Sequence, residues 1–215
     1  MTTRTRIKIC GVSRPEDVAA VVDAGADAIG LVFHPGSPRH VSLERAVSLA
    51  RGLPPYVTPV GLFVNAEAQA IAAAAAAIPN LVLQVHGDES PTACAASGRP
   101  FLKAARMAPG FDLLDFARRF SEAQGLLLDA HVEAYGGSGK VFDWSLVPRG
   151  VPHRLVLSGG LHAGNVGSGI LEVRPWAVDV SSGVESSRGV KDAAAIRAFC
   201  DAVREADSRI DASTS

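Results

Sequence analysis

Eight short apolar runs recur along the chain, each followed by a polar or glycine-rich turn and then a helix-forming stretch. Few folds accept that rhythm. The runs fall at residues 6–10, 28–33, 57–64, 81–85, 101–105, 126–128, 155–157 and 178–180. Parallel strands buried on both faces read as near-continuous apolar runs of this kind. The stretches between them carry helix signals. Ser13 stands before Pro15, with Glu16 three residues on, the pattern of a capping box. Val18, Val21 and Val22 give that helix an apolar face, and Gly25 closes it. Ser42 starts the next helix, with Glu44 in its first turn. The alanine tract at 70–78 is too short to span a bilayer and reads as a helix packed closely on its neighbours. After the sixth run the helix is barely a turn, at 144–147. The last helix covers 193–205, and the polar tail from Asp207 onward is expected to fray.

Eight strand–helix units within 215 residues predict a (β/α)8 TIM barrel, with a shortened helix after strand 6. A doubly wound open sheet also alternates strands and helices, but it places its glycine-rich phosphate loop after the first strand. Here the first strand runs into Gly11-Val12-Ser13-Arg14, and the glycine-rich turns come last: Ser158-Gly159-Gly160 after strand 7 and Ser181-Ser182-Gly183 after strand 8. Either turn alone would be an ordinary βα connection. Together they present backbone N–H groups on one rim, where the loops after strands 7 and 8 of such barrels form a recurrent phosphate site. The expectation is a freestanding single domain over residues 1–215, with polar stretches at both ends of an ordered core of about 6–206.

Composition narrows the partners. The formal net charge is −1 with no basic tract, which argues against nucleic acid or a membrane as the partner. Cys10, Cys94 and Cys200 lie far apart, with no metal-ligand spacing, so a reduced, cytoplasmic chain is the simplest reading. The N-terminus has basic residues but no apolar core of a signal peptide.

A barrel gathers its strand ends at one mouth, and the polar residues here fall at those ends. They are Cys10, Arg39 in the second loop, Asn65, His86, Arg106, Asp129 and the two glycine-rich turns. Asp129 follows three leucines. A carboxyl on an apolar floor holds its proton longer and suits a general acid, although a helix cap or a loop hydrogen bond would also employ an aspartate there. Cys10 serves as a base only where its thiolate is stabilised, and otherwise as a small buried hydrophobe. Strand alternation puts Lys8 on the face of Cys10 and Asp179 on the face of Ser181. The first and eighth strands adjoin in a closed barrel, so Lys8 and Asp179 are expected to pair inside it.

The motifs KICG (from Lys8), GLVF with SPR after it (to Arg39), GLFVN (to Asn65), LQVHGDE (around His86), LLLDA, GGSGKVFDW, LSGGL and VDVSSGVESSRGVKD together resemble the phosphoribosylanthranilate isomerase family of tryptophan biosynthesis, over about residues 7–199. The resemblance implies an Amadori rearrangement without cofactor or metal. It assigns Asp129 as the acid that opens the ribose ring and Cys10 as the base at C2. It gives Arg39 to the anthranilate carboxylate, and the phosphate to Gly159, Gly160, Ser181, Ser182 and Gly183. The implied partner is a small phosphorylated molecule, and the implied assembly a monomer or homodimer. Three positions depart from the family pattern. Ala130 and Ser138 stand where threonine is usual, and His162 where asparagine is usual.

Two rivals fit less well. A barrel acting on the histidine-pathway aminoaldose would carry an aspartate on strand 1, where this chain has Cys10, and a phosphate motif in each half. A silent binding barrel would have no use for Cys10, Asp129 and Arg39 together.

Overall fold

The computed structural model of the protein describes residues 4–130 and 141–212. Eight parallel strands close into a barrel in chain order: β1 (Arg6–Cys10), β2 (Ala28–Val32), β3 (Thr58–Phe63), β4 (Val82–Val85), β5 (Phe101–Met107), β6 (Gly125–Ala130), β7 (Arg154–Leu157) and β8 (Ala177–Val180). Between them run α1 (Pro15–Asp23), α2 (Leu43–Arg51), α3 (Ala68–Ala77), α4 (Pro91–Ala95), α5 (Leu113–Arg119) and α6 (Val166–Val173), and α7 (Ala193–Ala212) follows β8. A 3-10 turn at Trp144–Leu146 is the shortened helix expected after β6.

Alternation along the strands divides the core in two. Ile7, Ile9, Ile29, Leu31, Phe63, Leu126 and Leu128 point outward and pack with the helices in one large cluster. Ala104, Leu127, Val156 and Ala177 point inward and form a second, smaller cluster at the floor of the barrel. Above that floor the interior turns polar. Lys8 Nζ donates to Asp179 Oδ1 at 2.8 Å with both side chains buried, as the alternation predicts, and Lys8 is the register partner of Asp179 across β1 and β8. Burial alone would pull the Lys8 ammonium down, but Asp179 and Cys10 together outweigh it and hold the ammonium above its ordinary value.

Several local expectations need correction. Ser13 does not cap α1. Arg14 occupies the N-cap without a side-chain cap bond, and its guanidinium instead pairs with the buried carboxylate of Asp17 in the first turn. Ser42 does cap α2, accepting from Arg45 N–H. The chain after β8 does not pass directly into a helix. It forms a 3-10 turn (Ser182–Val184) and then an antiparallel hairpin, β9 (Glu185–Ser187) and β10 (Val190–Lys191), before α7. Nor does the end fray at Asp207. Helix α7 continues to Ala212 because Asp207 accepts hydrogen bonds from Thr5 N–H (2.8 Å) and Thr5 Oγ1 (2.6 Å), and Ile210 packs on the core. The alanine helix α3 is more superficial than expected and packs through Ile71, Ala74, Ala75 and Ile78. Among the described residues no helix is long and apolar enough to cross a membrane.

Candidate active site

The cavity at the C-terminal mouth is lined by Cys10, Arg39, His86, Asp129, Gly159, Gly160, Ser181 and Ser182, and by Gln84 and Asp179 beneath them. Cys10, Gln84, Asp129 and Asp179 arrive there from inward-facing positions of β1, β4, β6 and β8, and Arg39 reaches the mouth from the loop after β2. Two glycines make the room. A Cβ at Gly30, the register partner of Cys10 on β2, would lie 2.7 Å from the Cys10 sulfur. A Cβ at Gly159 would lie 2.8 Å from Asp129 Oδ1 and 2.6 Å from Ala130 N. Glycine is required at 159 on a second count, because its φ is +80°.

Cys10 sits among charges. Burial pushes its thiol up, the Lys8 ammonium pulls it down, and Asp179 and then Lys191 act in opposite directions behind them. The net direction is upward. The free protein therefore holds a thiol, with two buried ammonium groups placed to favour the thiolate. Ser181 Oγ donates to the Cys10 carbonyl at 3.1 Å and ties the ends of β1 and β8 together.

Asp129 does not rest on an apolar floor. Its side chain is 27% exposed, Oδ1 accepts Ala130 N–H at 2.9 Å, and Oδ2 lies 3.2 Å from His86 Nε2. The three leucines before it belong to the strand body: Leu126 and Leu128 face the helices, and Leu127 lies a full layer below.

Arg39 is buried and lines the mouth, but part of its guanidinium is already engaged. Nε and one terminal nitrogen donate to the two carboxylate oxygens of Glu185 at 2.7 and 2.8 Å. Glu185 also accepts from Lys191 Nζ at 2.8 Å and from Gly189 N–H at 3.1 Å. Burial by itself would raise Glu185, but the hydrogen bonds from Arg39 and Lys191 outweigh it and hold the carboxyl below the usual carboxylate range. Burial pushes the Lys191 ammonium down against the pull of Glu185. Sequence reading missed this buried triad. The available signal was ESSRGVK itself, in which an Arg-Gly turn between short polar runs marks a hairpin that sets Glu185 beside Lys191.

Of the five turn residues that the resemblance gives to the phosphate, four reach the cavity. Gly159, Gly160, Ser181 and Ser182 line the mouth, and among the described residues the N–H groups of Gly159 and Gly160 donate to no other residue. Gly183 is not among the lining residues. It is the crossing point of the two loops, where a Cβ would come within 1.9 Å of the Leu161 carbonyl oxygen. Two other expected mouth residues also serve elsewhere. Asn65, at φ +48°, donates its N–H to Glu89 Oε1 (2.6 Å) and accepts Asp88 N–H (2.8 Å), so it braces the loop after β4. Arg106 pairs with Asp88 at 3.1 Å and opens onto a separate depression beside Phe111 and Phe116. The glycine-rich segment 136–140, with Ser138, lies outside the described residues. Among the described residues no cluster of three or more His, Cys, Asp or Glu side chains could hold a metal ion. Cys10, Cys94 and Cys200 are all free and buried.

Fold and site together define a (β/α)8-barrel protein in which a thiol and a carboxyl line one cavity at the C-terminal mouth beside a rim of small residues. The profile of the N-(5'-phosphoribosyl)anthranilate (PRA) isomerase family matches residues 7–202. The isomerase of Leptothrix cholodnii is 68% identical over 212 residues, covering 98% of this chain and 96% of that protein. Among solved structures, the Thermotoga maritima phosphoribosylanthranilate isomerase superposes with a TM-score of 0.87 at 41% identity, covering 94% of this chain and 99% of that one. A second structure, of the isomerase in complex with reduced 1-(o-carboxyphenylamino)-1-deoxyribulose 5-phosphate, gives 0.81 at 38% identity, with the same coverage. A third, of the Thermotoga maritima protein, describes "mutually generated monomers" of a dimeric isomerase and gives 0.81 at 38% identity over the same shares of the two chains. The chain belongs to the phosphoribosylanthranilate isomerase family.

Proposed function

We propose that this mouth carries out the family's Amadori rearrangement, converting N-(5-phosphoribosyl)anthranilate to 1-(2-carboxyphenylamino)-1-deoxyribulose 5-phosphate, with Asp129 as general acid and Cys10 as general base. The observation that carries the assignment is the shared cavity: Cys10, Asp129 and the Gly159–Gly160 and Ser181–Ser182 rims all line it. The Asp129 proton passes to the ribose ring oxygen as the C1–O bond breaks, and the anthranilate nitrogen lone pair forms the C=N bond. The cationic Schiff base acidifies C2–H. The Cys10 thiolate takes that proton, and the released electron pair becomes the C1=C2 bond of an enolamine. Uptake of a proton at C1 and loss of the C2 hydroxyl proton then give the ketone and restore acid and base overall. Burial raises Cys10 in the free protein, so its ionisation relies on Lys8 and Lys191 and on the iminium charge formed one step earlier.

The phosphate would take backbone N–H groups from Gly159, Gly160 and Ser182, with Ser181 beside them and Gly183 closing the turn. Arg39 would take the anthranilate carboxylate through the guanidinium nitrogens that Glu185 leaves unused, a division a five-donor guanidinium allows. Three cysteines that are buried and form no disulfide with one another fit a cytoplasmic setting. Light scattering decides between monomer and homodimer.

The test is to generate phosphoribosylanthranilate in situ and follow its fluorescence. Wild-type decay that Cys10→Ser and Asp129→Asn each reduce by about 10²-fold or more supports the roles. Decay that neither change slows refutes them, and no decay with folded protein refutes the function.

A further inference from the structure

The interior holds a polar side chain that the chemistry above does not use. Gln84 sits on the same face of β4 as His86, is fully buried, and places its amide Nε2 3.1 Å from His86 Nδ1. Its carbonyl oxygen Oε1 has no hydrogen-bond partner among the described residues. Buried polar atoms are nearly always paired, so an orphan of this kind calls for a physical reason. Turning the amide over would put both N–H donors where Oε1 now finds no partner, whereas the orientation in place gives Nε2 a partner, and buried orphan donors are the rarer case. The orientation in place leaves the acceptor unpaired and directs the donor at the imidazole.

That direction has a consequence for the acid. An amide N–H only donates, so Nδ1 must accept, and a neutral imidazole then carries its hydrogen on Nε2. Nε2 is the atom 3.2 Å from Asp129 Oδ2, while Oδ1 is occupied by Ala130 N–H at 2.9 Å. We propose that Gln84 is a positioning residue that fixes the His86 tautomer presenting an N–H, rather than a lone pair, to Asp129. The proposal deepens the reading above and rests on Asp129 being the acid. With its hydrogen on Nε2, the ring orients the carboxyl by donating and has no free site for the acid's proton. When that proton goes to the ribose ring oxygen, the same N–H stabilises the carboxylate left behind. The opposite tautomer would aim a basic lone pair at Oδ2 and compete with the ring oxygen for the proton. His86 keeps its own hydrogen throughout, so no proton is gained or lost beyond those already described.

Two variants of the full-length protein test this. Gln84→Glu puts an acceptor where the donor was, at nearly the same volume, and Gln84→Met removes both functions. NMR of 15N-labelled histidine reads the tautomer independently of turnover, and the fluorescence assay separates kcat from KM. The expected wild-type spectrum has a protonated Nε2 and a bare Nδ1. Gln84→Glu should protonate Nδ1 and lower kcat by about 10²-fold, with KM within about threefold. Gln84→Met should fall between. A wild-type His86 protonated on Nδ1 overturns the proposal. So do active Gln84 variants with unchanged tautomer and unchanged kcat. Should Gln84→Glu fail to fold, Gln84→Met decides by the same two readouts. An inactive wild type would sink the reaction assignment and this proposal with it, whereas an active wild type with unaffected variants sinks this proposal alone.

Discussion

Replacing Lys8 by Met would leave the Asp179 carboxylate buried and unpaired in the barrel interior. Removing one partner of a buried ion pair costs about 3–5 kcal/mol, a large part of the 5–15 kcal/mol, roughly, that holds an ordinary domain folded. Replacing both residues, Lys8→Met with Asp179→Leu, removes the desolvation cost of both charges along with their attraction. Such exchanges run from about neutral to about 1–4 kcal/mol stabilising. Stability should therefore fall in the single variant and return in the double. Activity should not return. Lys8 and Cys10 are two residues apart on the same face of β1. The Lys8 ammonium pulls the Cys10 thiol down by its charge and by a side-chain hydrogen bond, and both are lost with Lys8. Asp179 acts in the opposite direction but ranks below Lys8, and Lys191 remains, so removing both Lys8 and Asp179 should push the thiol further up and leave less thiolate at a fixed pH. The assay is urea denaturation together with the pH dependence of kcat/KM by fluorescence. The double variant should be at least as stable as wild type and slower near neutral pH, with its rate rising as the solution becomes more alkaline. A double variant as unstable as Lys8→Met would refute the desolvation argument. One with the wild-type pH profile would refute the electrostatic role of Lys8.

Glu185→Gln leaves Arg39 and Lys191 facing each other without their anion. It should cost about 3–5 kcal/mol and raise KM, read by denaturation and by the kcat–KM split. Because the folded-state pKa of Glu185 is depressed, its contribution is fully present above the unfolded value of about 4.3 and is lost as pH falls through the folded value. The Glu185→Gln variant should therefore show a flatter stability curve on the acid side, and an unchanged acid limb would contradict the assignment. Gly159→Ala pushes a methyl group against Asp129 and Ala130 at a left-handed backbone position. It should lower kcat by about 10²-fold, and unimpaired turnover would show that the acid does not need that space. Asp207→Ala removes both bonds to Thr5 and should cost about 1.5–3 kcal/mol by urea denaturation, with kcat unaffected.

The barrel, the direction of each strand and the collection of candidate polar residues at the strand ends were legible in the chain because they depend on neighbours in sequence. Strand alternation by twos puts Lys8 on the face of Cys10 and Asp179 on the face of Ser181 without reference to any partner, and the Lys8–Asp179 pair follows once closure makes β1 and β8 adjacent. The small residues of the rim are equally local, since Ser-Gly turns announce themselves by composition. The tertiary structure alone decided what the loops do beyond the strand ends, where alternation no longer applies. Arg39 and Glu185 are 146 residues apart, and only the fold of the hairpin over the mouth brings them together. Asn65 and Arg106 stand at strand ends like the others, yet the loop after β4 draws both to itself and away from the cavity. The helix at the chain's end reads as polar and frayed from its own residues, and Asp207 makes it permanent by holding Thr5 from 202 positions away. Gly30 reads as an ordinary strand glycine until the register places it against Cys10. Period and turn chemistry are written into short stretches of sequence. Register, loop crossing and the pairing of distant charges are settled only when the chain closes on itself.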